Sequence, residues 1–257
     1  MCAAVLDLHT HILPGIDDGP VQMADALAMA RAFVESGTSA VVCTPHIDDD
    51  PTAVLAAIDA GVPALRAALD DAEIPLQVLP GAELTLAAAA RMDDDQLARA
   101  SLGGGGRWLL LEMPVAGWPI VLPEMMRDLE MRGFGVVLAH PERSESVQLA
   151  PDRLRDLLGR GALVQINASS LSGAHGARAE RAAYMLLRNG MVTVLASDAH
   201  SATARPPGLV EGLQALERVL RRPQEELRWM VDDGPRLIAS GAAVRPPRLV
   251  PMPRPPR

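Results

Sequence analysis

The chain has 257 residues, 49% of them hydrophobic, which is enough to bury one large core; a single α/β barrel of this length is common. A formal net charge of −8 and an aromatic content of 2% argue against a nucleic-acid-binding surface. The two cysteines, Cys2 and Cys43, are too few for a disulfide framework and favour a reducing, cytoplasmic setting. With no signal-peptide pattern and no apolar run that we expect to span a bilayer, the protein is predicted not to be membrane-inserted.

Short apolar runs alternate with amphipathic helical patterns along the chain. The predicted strands are 4–9, 40–45, 76–83, 108–113, 135–140, 162–167 and 191–197, and the predicted helices are 22–36, 53–72, 120–132, 152–160, 177–189, 208–221 and 224–232. Segment 84–101 is predicted to be helical, with an interruption at the acidic run 93–95.

Seven strands that alternate with helices predict a parallel sheet, either open or closed into a barrel. No Gly-x-Gly-x-x-Gly follows the first strand, which argues against a dinucleotide-binding domain. Since the composition shows no internal boundary, we predict one domain over residues 1–244 and a disordered, Pro- and Arg-rich tail over residues 245–257.

The first predicted strand ends in a pair of histidines. His9 and His11 are two residues apart, so their side chains point to one face of the strand, and Asp7 shares that side. Asp17 and Asp18 follow in the next turn. Imidazoles and carboxylates gathered at a strand end suit a divalent metal, although a buried histidine pair without a metal would give the same pattern.

Similar residues close the other strands: His46, Glu83, Glu112, His140, Asp198 and His200. In a parallel barrel these ends share one face, where active sites are built. The donors exceed the needs of one ion, so we predict two or three ions bridged by a carboxylate. Nitrogen and oxygen donors favour Mn²⁺, Fe²⁺ or Zn²⁺, and clustered metals suit the hydrolysis of phosphate esters.

Arginines follow two of these predicted ligands. Arg143 comes after His140 and Arg205 comes after His200, and a guanidinium binds phosphate oxygens in a bidentate fashion. The alternative is ordinary surface ion pairing. His175 lies in a predicted loop, and we expect it at the surface or at the rim of a substrate site rather than among the ligands.

Seven stretches of the chain resemble the PHP (polymerase and histidinol phosphatase) superfamily and, more narrowly, its capsule-type bacterial protein-tyrosine phosphatases. The stretches run in order from residue 7 to 207: DLHTHILPGIDDG, TPHI, PGAEL, LLLEMP, LAHPER, VQINASSLSG and SDAHSATARPP. The resemblance implies a distorted (β/α)7 TIM-like barrel with the metal site at the C-terminal strand ends. It also implies three metals, often manganese.

The resemblance also implies roles for individual residues. The first metal would be held by His9, His11, Glu83 and Asp198, the second by Glu83, Glu112 and His140, and the third by His46, His200 and Asp18, which is favoured over Asp17. Arg143 and Arg205 would bind the phosphate, with Asp198 and His200 beside them at the catalytic centre. The implied substrate is phosphotyrosine on an autophosphorylating bacterial kinase that controls capsule and exopolysaccharide synthesis.

The chain departs from the family pattern after TPH. Ile47 stands where a second histidine is frequent, and Asp48, Asp49 and Asp50 replace a loop that usually carries an aromatic residue. These departures affect the prediction of the substrate more than the prediction of phosphate-ester hydrolysis.

Other protein classes compete with this interpretation. A histidinol-phosphate phosphatase would use the same site on a small molecule, but Glu112 and the INASSLSG stretch favour the tyrosine phosphatase. Many amidohydrolases bridge their metals with a carboxylated lysine, and this chain has no lysine. A cysteine-based phosphatase needs an arginine six positions after its cysteine, where this chain has Asp49 and Leu8. A non-catalytic, kinase-binding barrel remains an alternative, although such a packed set of ligands would cost stability without metals.

Overall fold

The computed structural model describes residues 5–247 and residue 249. Within this part of the chain the strands are β1 (Val5–Thr10), β2 (Thr38–Cys43), β3 (His46–Ile47), β4 (Gln77–Leu79), β5 (Glu83–Leu84), β6 (Trp108–Glu112), β7 (Gly135–Ala139), β8 (Leu163–Asn167) and β9 (Val194–Ala196). Their pairings are parallel, in one sheet of order β1-β2-β4 and another of order β3-β5-β6-β7-β8-β9. The predicted α/β fold with parallel strands is therefore confirmed, whereas the strands form two sheets and not one closed ladder.

Two of the seven predicted strands are interrupted. The predicted strand 40–45 is observed as β2, which ends at Cys43, and a separate strand, β3, begins just past the predicted end at His46; Pro45 between them cannot donate a ladder hydrogen bond. The predicted strand 76–83 is divided into β4 and β5 around Gly81, where an added Cβ would lie 2.7 Å from Val42 Cγ1. As a result, β2 and β4 belong to the three-stranded sheet, and β3 and β5 belong to the six-stranded sheet.

Helices connect the strands and cover the sheets. They are α1 (Met23–Glu35), α2 (Pro51–Asp71), α3 (Leu86–Arg91), α4 (Asp94–Ala100), α5 (Leu122–Met131), α6 (Glu145–Leu149), α7 (Leu154–Gly159), α8 (Gly176–Arg188), α9 (Leu209–Leu220), α10 (Gln224–Leu227) and α11 (Asp233–Ala239). The sequence did not predict α6 and α11. The predicted helix 224–232 is limited to α10, followed by a 3₁₀ turn.

The interruption predicted at the acidic run is confirmed, and its cause is a capping box. The Asp93 side chain accepts a hydrogen bond from the backbone N–H of Gln96, and the Gln96 side chain accepts one from the backbone N–H of Asp93. This reciprocal pair satisfies two N–H groups at the start of α4. The aspartate run therefore starts a new helix as well as ending the previous one.

Helix α2 is long and apolar enough to cross a membrane by length and composition, contrary to the expectation that no segment would be. Its residues Leu55, Ile58, Val62 and Leu65 recur every three to four positions and are buried in the core. Core helices often meet the same criteria, so α2 alone is only a weak sign of membrane insertion.

The predicted tail over residues 245–257 lies largely outside the described residues. Residues 245–247 have no regular secondary structure, and the side chain of Leu249 packs against the core.

Candidate metal centre

The carboxyl end of β1 places two fully buried imidazoles at one point. The Nε2 atoms of His9 and His11 lie 3.1 Å apart. The backbone N–H of His11 donates to the carbonyl of Ala199, and that of Asp198 donates to the carbonyl of His9, both at 2.9 Å. These bonds hold β1 against the segment that follows β9, so the histidine pair meets the residues at the end of the last strand.

Glu83, the first residue of β5, reaches three histidines. Its Oε2 lies 3.1 Å from His9 Nε2 and 3.1 Å from His46 Nδ1, and its Oε1 lies 2.8 Å from His140 Nε2. Burial by itself would raise the pKa of this carboxyl, but the charges of His9 and His140 outweigh burial and hold the pKa well below its usual range. Glu83 is thus a buried carboxylate whose Oε2 faces His9 and His46 and whose Oε1 faces His140.

Asp198 is a second buried carboxylate beside the same histidines. Its Oδ1 lies 3.5 Å from His9 Nε2 and 3.4 Å from His11 Nε2, and its Oδ2 accepts a hydrogen bond of 2.7 Å from Asn167 Nδ2. Burial raises the pKa of Asp198, but the charge of His9 and the hydrogen bond to His11 reverse this effect and leave the pKa well below its usual value. One oxygen therefore faces the histidines and the other faces a different set of donors.

Two arginines belong to that second set. Arg143 Nη1 and Arg205 Nη2 donate to Asp198 Oδ2 at 3.0 and 2.9 Å. Their side chains are 30% and 37% exposed, so part of each guanidinium remains accessible beside the cluster. Such a pair of guanidiniums can bind the oxygens of a phosphate.

The outer side of the cluster contains Asp18, His46 and His200. Asp18 Oδ1 lies 3.0 Å from His200 Nε2 and 3.7 Å from His46 Nε2. Asp17 has different partners: its Oδ2 lies 2.6 Å from His11 Nδ1 and accepts a hydrogen bond from the backbone N–H of His46. Asp17 therefore orients two histidines, while Asp18 presents its carboxylate to the site.

Glu112, at the end of β6, completes the group. Its carboxylate lies within 4.8 Å of donor atoms of His46 and Glu83. Burial, followed by the negative charge of Glu83, raises the pKa of Glu112. Two carboxylates so close together repel each other unless a cation lies between them.

The chemistry of these donors fits divalent cations. Four sets of donor atoms lie within 4.8 Å of one another: His11, Asp18, His46 and His200; His9, Glu83 and His140; His9, His11 and Asp198; and His46, Glu83 and Glu112. The buried His200 Nε2 makes no well-oriented hydrogen bond among the described residues, although Asp18 Oδ1 lies 3.0 Å away. A metal site requires ring nitrogens and carboxylate oxygens that converge in this way.

Residues of β8 support the ligands, a role that the sequence did not reveal. Gln165 Oε1 lies 3.0 Å from His9 Nδ1 and accepts a hydrogen bond from the backbone N–H of His140, and Gln165 Nε2 donates to Asn167 Oδ1. A proton held on His9 Nδ1 by this amide oxygen leaves Nε2 available to a metal. Two polar residues, two positions apart on a buried strand, are the signal that could have predicted this role.

Asp7 was expected on the same side as His9, but it binds backbone. Its carboxylate accepts hydrogen bonds from the backbone N–H of Ser197 and from that of His9. Burial raises the pKa of Asp7 to about 6. Asp7 therefore ties β1 to the segment after β9 and is absent from the sets of convergent donors.

The turn after β7 is held in an unusual conformation. His140 has a φ of +31°, in the left-handed region that residues other than glycine seldom adopt. Two residues later, the buried Glu142 Oε1 accepts hydrogen bonds from the backbone N–H of Asn167 at 2.9 Å and from Ser170 Oγ at 2.7 Å. Glu142 thereby anchors the turn that carries both His140 and Arg143.

Cys43, at the end of β2, is fully buried. Burial raises the pKa of its thiol far above the usual value. Cys2 lies outside the described residues. The location of Cys43 is unsuited to a nucleophilic thiolate, in agreement with the absence of a cysteine-phosphatase motif.

Fold and site together define a parallel α/β protein with a candidate metal-binding centre at the carboxyl ends of its strands, flanked by two arginines. The chain matches the family model for capsular polysaccharide synthesis, CpsB/CapC, over residues 5–234. It belongs to this family.

Similar proteins that are named as tyrosine phosphatases support this match. Tyrosine-protein phosphatase YwqE of Bacillus subtilis (strain 168) is 32% identical over 253 residues, which are 96% of each protein. A crystal structure from work on YwqE of Bacillus subtilis and CpsB of Streptococcus pneumoniae, described as unique metal-dependent tyrosine phosphatases, is similar with a TM-score of 0.83. That structure is 30% identical and covers 97% of this chain and 100% of its own. A β-aspartyl dipeptidase from Fervidobacterium islandicum shares only the fold, with a TM-score of 0.55 at 14% identity, covering 92% of this chain and 72% of its own.

Proposed function

We propose that the chain is a metal-dependent protein-tyrosine phosphatase that hydrolyses phosphotyrosine on a bacterial tyrosine autokinase controlling capsule or exopolysaccharide synthesis. The main support is the position of Asp198, which has one oxygen beside His9 and His11 and the other between the guanidiniums of Arg143 and Arg205. A phosphate bound by the arginines would thus lie directly beside the metal ligands. The similarity to YwqE over nearly the full length of both proteins supports the same activity.

We assign the metals to three overlapping sites, most simply occupied by Mn²⁺, with Fe²⁺ or Zn²⁺ as alternatives. The first site is formed by His9, His11, Glu83 and Asp198; the second by Glu83, Glu112 and His140; and the third by His46, His200 and Asp18. The two oxygens of Glu83 lie near His9 and His140, as a bridging carboxylate requires. A ring nitrogen of His11 also lies within 4.8 Å of donor atoms of Asp18, His46 and His200, which form the third site. The His11 ring is therefore close to both the first and the third site.

Divalent ions at these positions supply Lewis acidity, which polarises a phosphoryl group and makes water a better nucleophile. The residues of the chain bind and orient the substrate. Arg143 and Arg205 exchange their contacts with Asp198 for the non-bridging phosphate oxygens and stabilise the negative charge that develops there. The buried thiol of Cys43 takes no part.

We infer that the two sheets form a distorted (β/α)7 barrel. In support, β2 and β3 continue one another along the chain, as do β4 and β5. A parallel bridge between Thr10 and Ala199 joins the end of β1 to the segment after β9. In such a barrel the metal centre would occupy the face formed by the carboxyl ends of the strands.

We place the protein in the cytoplasm, where an intracellular kinase domain would be accessible. The net charge of −8 disfavours nucleic acid as a partner. We further propose that the barrel extends over residues 1–244 as one domain, with residues 245–257 as an appended tail.

The proposed activity can be tested by elemental analysis of the purified protein combined with turnover assays. We expect hydrolysis of a phosphotyrosyl peptide, dependent on a divalent metal, to exceed hydrolysis of histidinol phosphate. Turnover of histidinol phosphate without turnover of the peptide would instead identify a small-molecule phosphatase, and turnover of neither would favour a non-catalytic, kinase-binding protein.

The bridging role of Glu83 has a separate test. We expect Glu83→Ala to abolish activity and to lose more than one ion per chain, because one carboxylate serves two sites. The control is Glu124→Ala, which changes an exposed glutamate on α5. Unchanged metal content in Glu83→Ala would contradict the bridge.

A further inference from the structure

A cavity of about 350 Å³ opens beside Asp198, on the side away from the histidines of β1. We call it the side pocket, and its lining includes Arg143, Ser169, His175, Asp198, Arg205 and Pro206. The donors that converge for metal binding lie on the other side of Asp198, so the side pocket is separate from the metal ligands but adjacent to them.

The lining of the side pocket combines charged and uncharged groups. Arg143 and Arg205 line it and donate to Asp198 Oδ2. The uncharged part of the lining includes Ala174, His175 and Pro206. A ligand that contacts both kinds of group has an anionic group attached to an uncharged body.

His175 is held in place in the lining of the side pocket. Its Nε2 lies 3.0 Å from Ser169 Oγ, and the loop that carries it is closed by backbone hydrogen bonds from Ala174 to Ser169 and from Gly176 to Gly173. Burial, and next the positive charge of Arg143, lower the pKa of His175 to about 4. At neutral pH the imidazole is therefore an uncharged, half-buried ring facing the pocket.

A second cavity, of about 490 Å³, adjoins the side pocket. The two cavities share Ser169, Ala174, Ser197 and Pro206 in their linings, and the second extends past Pro207 to Glu211 on α9. A ligand in the side pocket can therefore be part of a longer chain that leaves along this second cavity.

We propose that the side pocket receives the phenol ring of phosphotyrosine, and that His175 is a specificity-determining residue which contacts this ring. The inference rests on the proposed function and adds to it the basis for choosing an aryl phosphate. With the phosphate at Arg143 and Arg205, the ring of a tyrosine extends between His175 and Pro206, whereas the short side chain of phosphoserine does not reach them. Aromatic pairs in such contacts contribute beyond the burial of area alone.

The experiment compares metal-loaded wild type with His175→Ala, His175→Asn and His175→Phe. Each protein is assayed with a phosphotyrosyl and a phosphoseryl peptide of the same sequence, and with inorganic phosphate as a competitive inhibitor. Thr203→Ala is the control, because Thr203 lines a different cavity on the other side of Arg205. Metal content and melting temperature are measured for every variant.

We expect the Ala and Asn variants to raise KM for the phosphotyrosyl peptide about three- to tenfold. The inhibition constant of phosphate and the parameters for phosphoserine should stay within twofold, because in this proposal the phosphate group contacts the two arginines and not His175. His175→Phe, which restores an aromatic ring, should recover most of the affinity for phosphotyrosine.

Two results on the variants would overturn the inference while leaving the proposed function intact. One is an unchanged KM for the phosphotyrosyl peptide in both His175→Ala and His175→Asn. The other is an equal loss of affinity for phosphotyrosine, phosphoserine and phosphate, which would mean that His175 supports the arginines. Failure of the proposed function is recognised independently, by wild type that does not hydrolyse the phosphotyrosyl peptide.

Discussion

At the scale of single residues, Arg143 has the contacts expected of a phosphate-binding group. It could have paired with its neighbour Glu142 or with the exposed Glu145, but its Nη1 lies 3.0 Å from Asp198 Oδ2. Its guanidinium therefore lies at the boundary between the candidate metal cluster and the side pocket. A planar, forked donor at this boundary can hold two phosphate oxygens, which the point charge of a lysine cannot do.

We expect Arg143→Lys to lower kcat/KM for a phosphotyrosyl peptide by roughly 10²–10³, the usual loss for one preorganised donor. Metal content should not decrease, because the change leaves every proposed ligand in place. The matched control is Arg153→Lys, since Arg153 lies over the ring of Trp118. Near-wild-type turnover in both Arg143→Lys and Arg143→Ala would show that Arg143 does not bind the phosphate.

We expect Cys43, unlike Arg143, to have no role in catalysis. Because its thiol is buried and its pKa is raised, iodoacetamide should not modify it in the native, metal-loaded protein, and activity should persist. Mass spectrometry of the treated enzyme, together with its residual turnover, tests this. The expectation fails if label accumulates on Cys43 in proportion to the loss of activity.

At the scale of elements, the site depends on short 3₁₀ turns that follow the strands. Pro141–Arg143 follows β7 and Ala168–Ser172 follows β8, and Glu142 joins them through its bonds to Asn167 and Ser170. Because one turn carries Arg143 and the other carries Ser169, this contact sets the position of both walls of the side pocket.

Glu142→Ala should therefore destabilise the fold by about 2–4 kcal/mol, since it leaves two buried donors without an acceptor. The free energy of unfolding by urea measures this effect. Glu145→Ala, three residues further along and exposed, should change stability by less than about 0.5 kcal/mol. Equal stabilities of the two variants would show that Glu142 does not anchor the turn.

At the scale of the whole molecule, the core and the candidate metal centre make opposite contributions to stability. The sheets bury apolar residues from nearly every helix, but the carboxyl ends of the strands gather histidines and carboxylates in the same interior. Without metals, this cluster is stable only in particular protonation states. Stability should therefore depend on pH in opposite directions with and without metal.

In the metal-free protein, burial by itself lowers the pKa of His11, but the hydrogen bond to Asp17 and the other carboxylates outweigh it and raise the pKa well above its usual value. A histidine with a raised pKa contributes stability that is complete below its unfolded pKa of about 6.5 and is lost as pH rises through the folded value. Asp7, with its pKa raised from 3.8 to about 6, destabilises the fold over a lower range, as pH rises from about 4 to about 6. We therefore expect the metal-free protein to lose further stability as pH rises above about 6.5, where His11 loses its proton.

The stability of the metal-loaded protein should instead rise with pH, because protons compete with the metal for the histidines. Each bound ion adds about 2.7 kcal/mol to the free energy of unfolding when the free metal is at 100 times its Kd. Thermal unfolding at a series of pH values, with and without a chelator, tests both directions. The same dependence on pH in the two states would mean that the cluster does not bind metal.

The sequence by itself determined those features that depend on local backbone geometry. The alternation of a strand places His9 and His11 on one face, and the order of strands and helices predicts a parallel sheet with its polar residues at the carboxyl ends. Helix starts such as the one at Asp93 follow from side-chain bonds within one turn. These features need no knowledge of distant parts of the chain.

Only the tertiary structure decided which of two adjacent residues of the same type faces the candidate metal centre. Asp17 and Asp18 are adjacent and equally acidic, but Asp17 is directed inward by the backbone N–H of His46, 29 residues away, so Asp18 faces the site. Gln165 acquired a role only because β8 brings it to His9, 156 residues earlier. Such contacts arise when the strands assemble, because local periodicity specifies the face of a side chain but not the partner that faces it.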